Sequence, residues 1–406
     1  MHMAFEPQKL RSIALLGLTS ASLTLGVAAC WSYAAEDIEG AAGSAGSTSG
    51  SVSVIPGGGS SGGSAGGSGG SAGSSTTLPC DIFESASLPC VSAHSTVRLI
   101  VRGYTGSLYQ LERADGATQD IGVVDGYADA ATQDTFCAGS DCVISMIYDQ
   151  SPIGNHLTPA PPGGAKQTPG KPAPADRHPI KVNGRSVYGI LFRPGEGYRA
   201  ACNMCPYPPG GPAGTAVGDE PQTVYMVSSQ HDLINGCCFD YGNAEVTRNN
   251  DGEGTMEAVY LGKGVIWGTG SGDGPWVMAD LENGLYAGWE NAQDRNISTA
   301  KSLKYDFVTA VVVGDTADKN GGKGRFALYG GDATAGVLDT MYDGIRPEKP
   351  GYVPMQKQGS VILAIGGDNS DGDGGRFYEG VMANGAATKE TVDALQAAIV
   401  AAGYGK

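Results

Sequence analysis

Basic side chains are scarce in this 406-residue chain: 26 Lys and Arg stand against 42 Asp and Glu, a formal charge of −16. Without a basic excess to offset phosphate charge, nucleic acid and anionic lipid are excluded as partners. Histidine is sparse as well. The five are scattered, with no His-Glu-x-x-His and no paired ligand spacing, so no metal and no cofactor are expected. No second long apolar run follows the N-terminal one, so no further membrane segment is expected. Helical periodicity is missing until the last twenty residues, and there is no internal repeat, which excludes helix bundles and solenoids.

What is present begins with an export signal at residues 1–30. Lys9 and Arg11 form a basic start, and Ile13 to Val27 is mostly apolar but short for a bilayer span. It runs into Val27-Ala28-Ala29-Cys30, the pattern of a bacterial lipobox, with Cys30 as the lipid-bearing first mature residue. An ordinary cleavage site nearby is the alternative. Nine cysteines is an odd number, and committing Cys30 to lipid leaves eight. The expectation is an exported protein, either a bacterial cell-surface or outer-membrane lipoprotein or a secreted one. Residues 31–79 are rich in Gly, Ser and Ala and cannot bury enough surface to fold, so they read as a flexible tether. Gly62-Gly63-Ser64-Ala65-Gly66 matches the hydrolase nucleophile elbow only through low complexity, since no strand precedes it and no helix follows.

The globular part is then 80–406. Its cysteines fall into close pairs, Cys80/Cys90, Cys137/Cys142, Cys202/Cys205 and Cys237/Cys238. Near-neighbour pairing is the simplest of about a hundred connectivities. A Cys80–Cys90 bridge would contribute roughly 2–3 kcal/mol in the chain-entropy model. Cys237 and Cys238 are adjacent, and a bridge between them closes almost no loop and adds little of that entropy. Such a ring points to a local role, a stiff surface against a ligand; two buried thiols are the alternative.

Short apolar, β-branched runs separated by turn residues predict strands: Val97–Val101, Cys142–Tyr148, Thr223–Val227, Phe307–Val313, Val361–Ile365 and a closing strand Arg376–Met382. Together they predict an all-β antiparallel sandwich or barrel. One late helix is expected on the outside of a sheet. Thr388 would cap it, Val392, Leu395, Ile399 and Ala402 form its apolar stripe, and Gly403 stops it.

Carboxylates carry the chemistry. If Trp276–Gly284 is a strand, Met278, Asp280 and Glu282 share one face opposite Val277, Ala279 and Leu281. Two acids on one face, flanked by Trp276 and Asn283, suit a sugar-cleaving cleft, since paired like charges separate their pKa values. A solvated polar face is the competing reading. After the 361–365 run, Gly366-Gly367-Asp368 would hold a carboxylate at a strand exit with open backbone beside it. A hairpin loop, or a calcium loop through Asp368, Asp371 and Asp373, would explain it too, but the spacing is not that of an EF-hand. Gly268–Gly274 lacks a P-loop lysine and reads as a surface loop beside Trp267.

Several motifs in order resemble a known family: Pro79-Cys80-Asp81-Ile82-Phe83, Ile147–Ser151 with Gly154–Leu157, Cys237–Glu245, Met278–Gly284 and Ile365–Ser370. They resemble the catalytic domain of the α-L-arabinofuranosidase B type, glycoside hydrolase family 54, over essentially all of 80–406. The resemblance implies a concanavalin- or laminin-G-like β-sandwich of jelly-roll type. It implies a retaining hydrolase that releases terminal α-L-arabinofuranosyl units from arabinan or arabinoxylan, a plant-polysaccharide enzyme read here as a monomer. Glu282 stands at the family's nucleophile position and Asp368 at its general acid/base. Trp267, Asp280, Asn283, Gly367 and the Cys237–Cys238 pair stand at arabinose-contacting positions. Spacing alone would have paired Glu282 with Asp280; the resemblance pairs it with Asp368. Two departures are expected. The arabinose-binding β-trefoil module, carbohydrate-binding family 42, has no counterpart before Lys406, leaving the lipid tether to replace it. Cys202-Asn203-Met204-Cys205 is an addition to the usual pattern. The rival functions are a non-catalytic glycan-binding lectin on the same sandwich, or β-xylosidase or galactofuranosidase specificity.

Overall fold

In a computed structural model, the structure describes residues 77–200, 214–264, 268–289 and 296–406. The proposed signal with Cys30, the tether, the Cys202/Cys205 pair and Trp267 lie outside the described residues.

Two antiparallel sheets form the centre. One has six strands in the order Cys90–Ser95, Glu379–Asn384, Gln222–Ser228, Val308–Gly314, Phe326–Asp332, Asp339–Gly344. The other has seven: Leu285–Tyr286, Trp276–Asp280, Glu257–Gly262, Asp240–Ala244, Ser360–Leu363, Tyr198–Arg199, Thr158–Pro159. Glu257–Gly262 and Trp276–Asp280 lie against Val308–Gly314, so the sheets stack face to face. All residues of Gln222–Ser228 and Val308–Gly314 are buried, in register with Val224 opposite Val312. A strand covered on both faces reads as a continuous apolar run, which is why these two were legible.

The late helix, Lys389–Ala402, forms as expected. The Thr388 side chain accepts from the Thr391 amide, and Gly403 closes the helix at φ 76°, a conformation costly for any residue with a Cβ. Val392, Leu395, Ile399 and Ala402 join the main core, and the helix rests on the short helix Pro79–Ser85. Beyond it, the Tyr404 hydroxyl reaches Glu379, which also holds Arg98 through two 2.6 Å hydrogen bonds. This buried ion pair is fully partnered, the condition under which buried charge is tolerated.

Two strand predictions need correction. Val97–Val101 is not a strand. The strand is Cys90–Ser95, and the Ser95 hydroxyl accepts from the amides of Val97 and Arg98 and turns the chain out of the sheet. Arg376–Met382 is two strands. Gly375–Phe377 pairs with Arg185–Phe192, whereas Glu379–Asn384 joins the six-stranded sheet. Tyr378 marks the switch, its ring packed near Phe307 and Tyr404. The Gly268–Gly274 loop also contains a short strand, Thr269–Ser271, paired parallel with Asn296–Lys301.

Disulfides join Cys80 to Cys90, Cys137 to Cys142 and Cys237 to Cys238, and the last pair is linked by a cis peptide. Three disulfides among the described residues belong to an oxidising, exported setting. None of the described helices is long and apolar enough to cross a membrane.

Candidate active site

Glu282 does not lie on the strand. Trp276–Asp280 ends one residue before Leu281, and Glu282 and Asn283 follow with φ of 61° and 53°. The Leu281 amide donates to the Gly284 carbonyl at 3.0 Å, and Asp280 pairs with Leu285, so the two residues form a two-residue hairpin turn. Consecutive left-handed residues match strand twist in such turns, which usually take Asn or Gly. A glutamate there costs of order 1–3 kcal/mol and persists because its surroundings fix it. Tyr352 donates to the Glu282 carbonyl at 2.9 Å, and Asp280 Oδ1 accepts from the Glu282 amide at 3.0 Å. Asp280 and Glu282 therefore meet through the turn and not through strand alternation. Trp276 does not flank the cleft: its ring is buried and its Nε1 donates to Ser271 at 2.9 Å.

Asp368 reaches the same place from the other side. Past strand Ser360–Leu363 the chain turns, with the Asn369 amide bonded to Gly366 and the Gly366 amide to Ser370. Asp368 Oδ1 accepts from the Ser370 amide at 3.0 Å, a local turn that fixes its carboxylate. Buried Arg199 anchors the loop. Its Nε donates to Asn369 Oδ1 at 2.8 Å, and its remaining nitrogens bond Ser360 and the carbonyls of Glu245 and Gly367. The calcium alternative dissolves here. Asp371 pairs with Lys166, and Asp373 accepts from Ile234, Gly374 and Tyr260, so the three aspartates do not converge.

These elements close a pocket of about 160 Å³ lined by Cys237, Cys238, Asn250, Asp280, Glu282, Asn283, Gly366, Gly367, Asp368 and Ser370. At roughly 30 Å³ per water it is the size of a single small sugar. The described residues that the resemblance puts at the site all line it, whereas Trp276, expected to flank it, does not. The disulfide forms one wall, with Cys238 Sγ 3.4 Å from Asp280 Oδ2 and Cys237 Sγ 3.6 Å from Ser370 Oγ. Asn250 and Asn283 exchange side-chain hydrogen bonds at 2.6 and 3.0 Å on the rim. A larger hollow, about 500 Å³, lies over Gln119 and Asp129–Phe136, but its carboxylate, Asp129, is engaged in capping a helix.

Sequence reasoning missed the acids behind the pocket. Asp240 opens strand Asp240–Ala244 and Glu245 immediately follows it; both are buried, and a polar residue at such a place carries no pattern that marks it. Asp240 lies within hydrogen-bond reach of Asp280, and no described donor reaches either of its oxygens. Burial, then the Asp280 charge, pushes Asp240 far above the carboxylate range, so it is a neutral acid that donates to Asp280. Burial pushes Asp280 itself up to about 7. Burial, then the Glu245 and Asp280 charges, pushes Glu282 up to about 11, and burial raises Glu245 too. Two contacting carboxyls in a buried place share a proton, so the Glu245–Glu282 pair carries one negative charge near neutrality. The buried Arg199 guanidinium, lowered by burial to about 10, remains a cation beside them.

The raised Asp240 gives a stability prediction with a definite sign. Between its ordinary and its raised pKa the folded state binds a proton that the unfolded state has lost. Stability is therefore full at low pH and falls as pH rises. Asp240→Asn keeps a donor without that proton. Its melting temperature relative to wild type is expected to be higher at pH 8 than at pH 5. Melting curves at both pH values check this, and an equal offset would refute it.

An antiparallel sandwich holding a small, acidic, monosaccharide-sized pocket has the build of a carbohydrate-active protein. The chain belongs to the family described as "Alpha-L-arabinofuranosidase B, catalytic", whose model matches residues 79–405. It is 47% identical over 333 residues to a probable α-L-arabinofuranosidase B of Aspergillus flavus, covering 80% of this chain and 62% of the relative. It is 47% identical over 332 residues to an α-L-arabinofuranosidase of Hypocrea jecorina, covering 80% of this chain and 63% of that one. A crystal structure of an arabinofuranosidase complexed with arabinofuranosyl-α-1,2-xylobiose superposes with a TM-score of 0.73 at 45% identity, over 80% of this chain and 65% of that one. The chain thus spans a little under two thirds of the relatives it matches. Both curated relatives are fungal and lend no support to a bacterial lipoprotein.

Proposed function

We propose that this domain is a retaining glycoside hydrolase that releases terminal α-L-arabinofuranosyl residues from arabinan or arabinoxylan side chains. The observation that carries the reading is that Glu282 and Asp368, on separate turns, face one sugar-sized pocket. A retaining mechanism needs two such carboxyls across the anomeric carbon. Glu282 attacks C1 as the bond to the leaving oxygen breaks, and Asp368 gives that oxygen its proton. Water then attacks C1, loses a proton to Asp368 and releases arabinose from Glu282. The acidic surroundings favour the positive charge that develops on the sugar in both steps. Asp280 accepts from a sugar hydroxyl, and Asn283, Gly367 and the Cys237–Cys238 wall complete the subsite, to which the family resemblance adds Trp267, outside the described residues. A side chain on Gly367 would start 2.7 Å from Glu282 Oε2, so only glycine leaves room there.

Product analysis on arabinoxylan and branched arabinan tests the reading. Arabinose should appear with wild type and not with Glu282→Gln. Measurable arabinan binding with no release by wild type would favour the lectin. A second specificity, β-xylosidase, is worth including in the same assay, because a Trichoderma koningii relative at 47% identity is described as an arabinofuranosidase/β-xylosidase.

The disulfide wall yields a further prediction. Cys237→Ala/Cys238→Ala removes sugar-facing surface but almost no loop constraint. KM for an aryl arabinofuranoside should rise several-fold, with little change in melting temperature. An unchanged KM with a large fall in melting temperature would assign the pair to stability. Surface tethering through Cys30 is the finer part of the export reading. It is supported by Val27-Ala28-Ala29-Cys30 alone, and the mass of the mature N-terminal peptide tests it.

A further inference from the structure

The pocket is backed by an acid that the mechanism above does not use. Glu245 is fully buried immediately after strand Asp240–Ala244. Its Oε1 accepts from Thr255 Oγ1 at 2.7 Å, while its Oε2 has no hydrogen-bond donor among the described residues. The two oxygens that crowd the Gly367 backbone, where a side chain would begin, are this Oε2 and Glu282 Oε2. The two carboxyls lie within hydrogen-bond reach of each other. Arg199 makes no hydrogen bond to either carboxylate among the described residues; its bonds go to Asn369, Ser360 and two main-chain carbonyls. A buried acceptor facing a second acceptor is costly unless one of them carries a proton. Thr255 already donates to Glu245 Oε1, so the shared proton lies between the two Oε2 atoms; the stronger upward push on Glu282 holds it there in the free enzyme, and it passes to Glu245 Oε2 when Glu282 becomes the attacking carboxylate.

We propose that Glu245 is a positioning residue for the nucleophile: its protonated Oε2 donates to Glu282 Oε2, aligns that carboxylate and leaves the other Glu282 oxygen to attack. This rests on the reading of Glu282 as nucleophile. The proton stays on Glu245 through both steps. In the first, Glu282 bonds to C1, the C1–leaving-oxygen bond breaks and Asp368 protonates the leaving oxygen. In the second, water bonds to C1, gives its proton to Asp368 and the C1–Glu282 bond breaks. Negative charge returns to Glu282 in that second step, where a charge-assisted hydrogen bond from Glu245 strengthens as it forms.

The charged groups facing this pair are Asp280, with Asp240 behind it, Asp368 across the pocket, and Arg199, with Arg248 beyond it. Loss of the shared proton at alkaline pH turns Glu245 from a donor into a second anion. Glu245→Gln keeps an N–H donor that cannot ionise, whereas Glu245→Ala keeps none.

The test measures kcat and KM against pH on dinitrophenyl α-L-arabinofuranoside, whose departure needs little help from Asp368, for wild type and both variants, with melting curves. In parallel, an arabinofuranose-configured cyclic sulfate labels the nucleophile, and mass spectrometry locates the label. The expected result is label on Glu282 in wild type and in Glu245→Gln. Glu245→Gln should stay within about tenfold of wild-type kcat, with the alkaline limb moved to higher pH. Glu245→Ala should lose about 100-fold or more in kcat, the size of one lost transition-state donor, with little change in KM. Label on Glu282 with an unmoved alkaline limb in Glu245→Gln overturns the inference and leaves the nucleophile standing. Label on another residue overturns the nucleophile and the inference together. If Glu245→Ala does not fold, the Glu245→Gln profile decides alone.

Discussion

Replacing Glu282 with glutamine is expected to abolish turnover while leaving the domain at least as stable as wild type. In the proposed mechanism the side chain that attacks C1 has no substitute in the pocket. Asp280 is held by the Glu282 amide and Asp240, and Glu245 lies behind Glu282, outside the pocket lining. Loss of an attacking group costs on the order of 10⁴- to 10⁶-fold in kcat in enzymes where it has been removed. The stability half follows from the same geometry. Glu282 is only 6% exposed and faces Glu245, with the Asp280 charge close by. An uncharged isostere removes that repulsion without moving the turn. Kinetics on an aryl arabinofuranoside, with parallel melting curves, check both halves. Residual activity above about 1% of wild type, or a large drop in melting temperature, would contradict the assignment.

Asp368→Ala should behave differently. General acid catalysis contributes roughly 10²- to 10⁴-fold, and more of it is needed as the leaving group becomes poorer. Turnover of arabinan should therefore fall steeply, whereas an activated aryl arabinofuranoside still reacts with Glu282 and stalls at the second step. Azide, which needs no base, should relieve the stall and yield α-arabinofuranosyl azide. It should do nothing for poor leaving groups. If Asp280→Ala shows the azide-rescued pattern and Asp368→Ala does not, the two aspartates have been exchanged.

The sandwich was legible because strands buried on both faces, such as Val308–Gly314, announce themselves as apolar runs. So was the late helix, whose cap, stripe and terminal glycine all lie in the sequence. The site was legible only in part. Alternation suggested Asp280 and Glu282 together, but for the wrong reason, since the strand stops at Asp280 and a left-handed Glu282 gives no sign in the residue order. Asp368 joined them through family resemblance, because 86 residues separate it from Glu282 and only strand pairing brings them together. Asp240 and Glu245 stayed hidden. Their importance lies in which carboxyl each one faces, and no local pattern encodes that.

The Ile147–Leu157 motif shows the converse. Asp149 accepts from the amides of Ala93, Ser151 and Asn155, and the Asn155 side chain bonds Val91. These residues tie a loop to strand Cys90–Ser95, none of them lines the pocket, and their place in the family pattern is explained by the fold.

Anomeric configuration tests the central claim most directly. Turnover of an aryl α-L-arabinofuranoside in the presence of methanol traps the sugar as a methyl furanoside, whose configuration NMR reads. Two displacements at C1, by Glu282 and then by methanol, predict methyl α-L-arabinofuranoside. The β-anomer would mean a single displacement with no bond to Glu282, and would contradict the account.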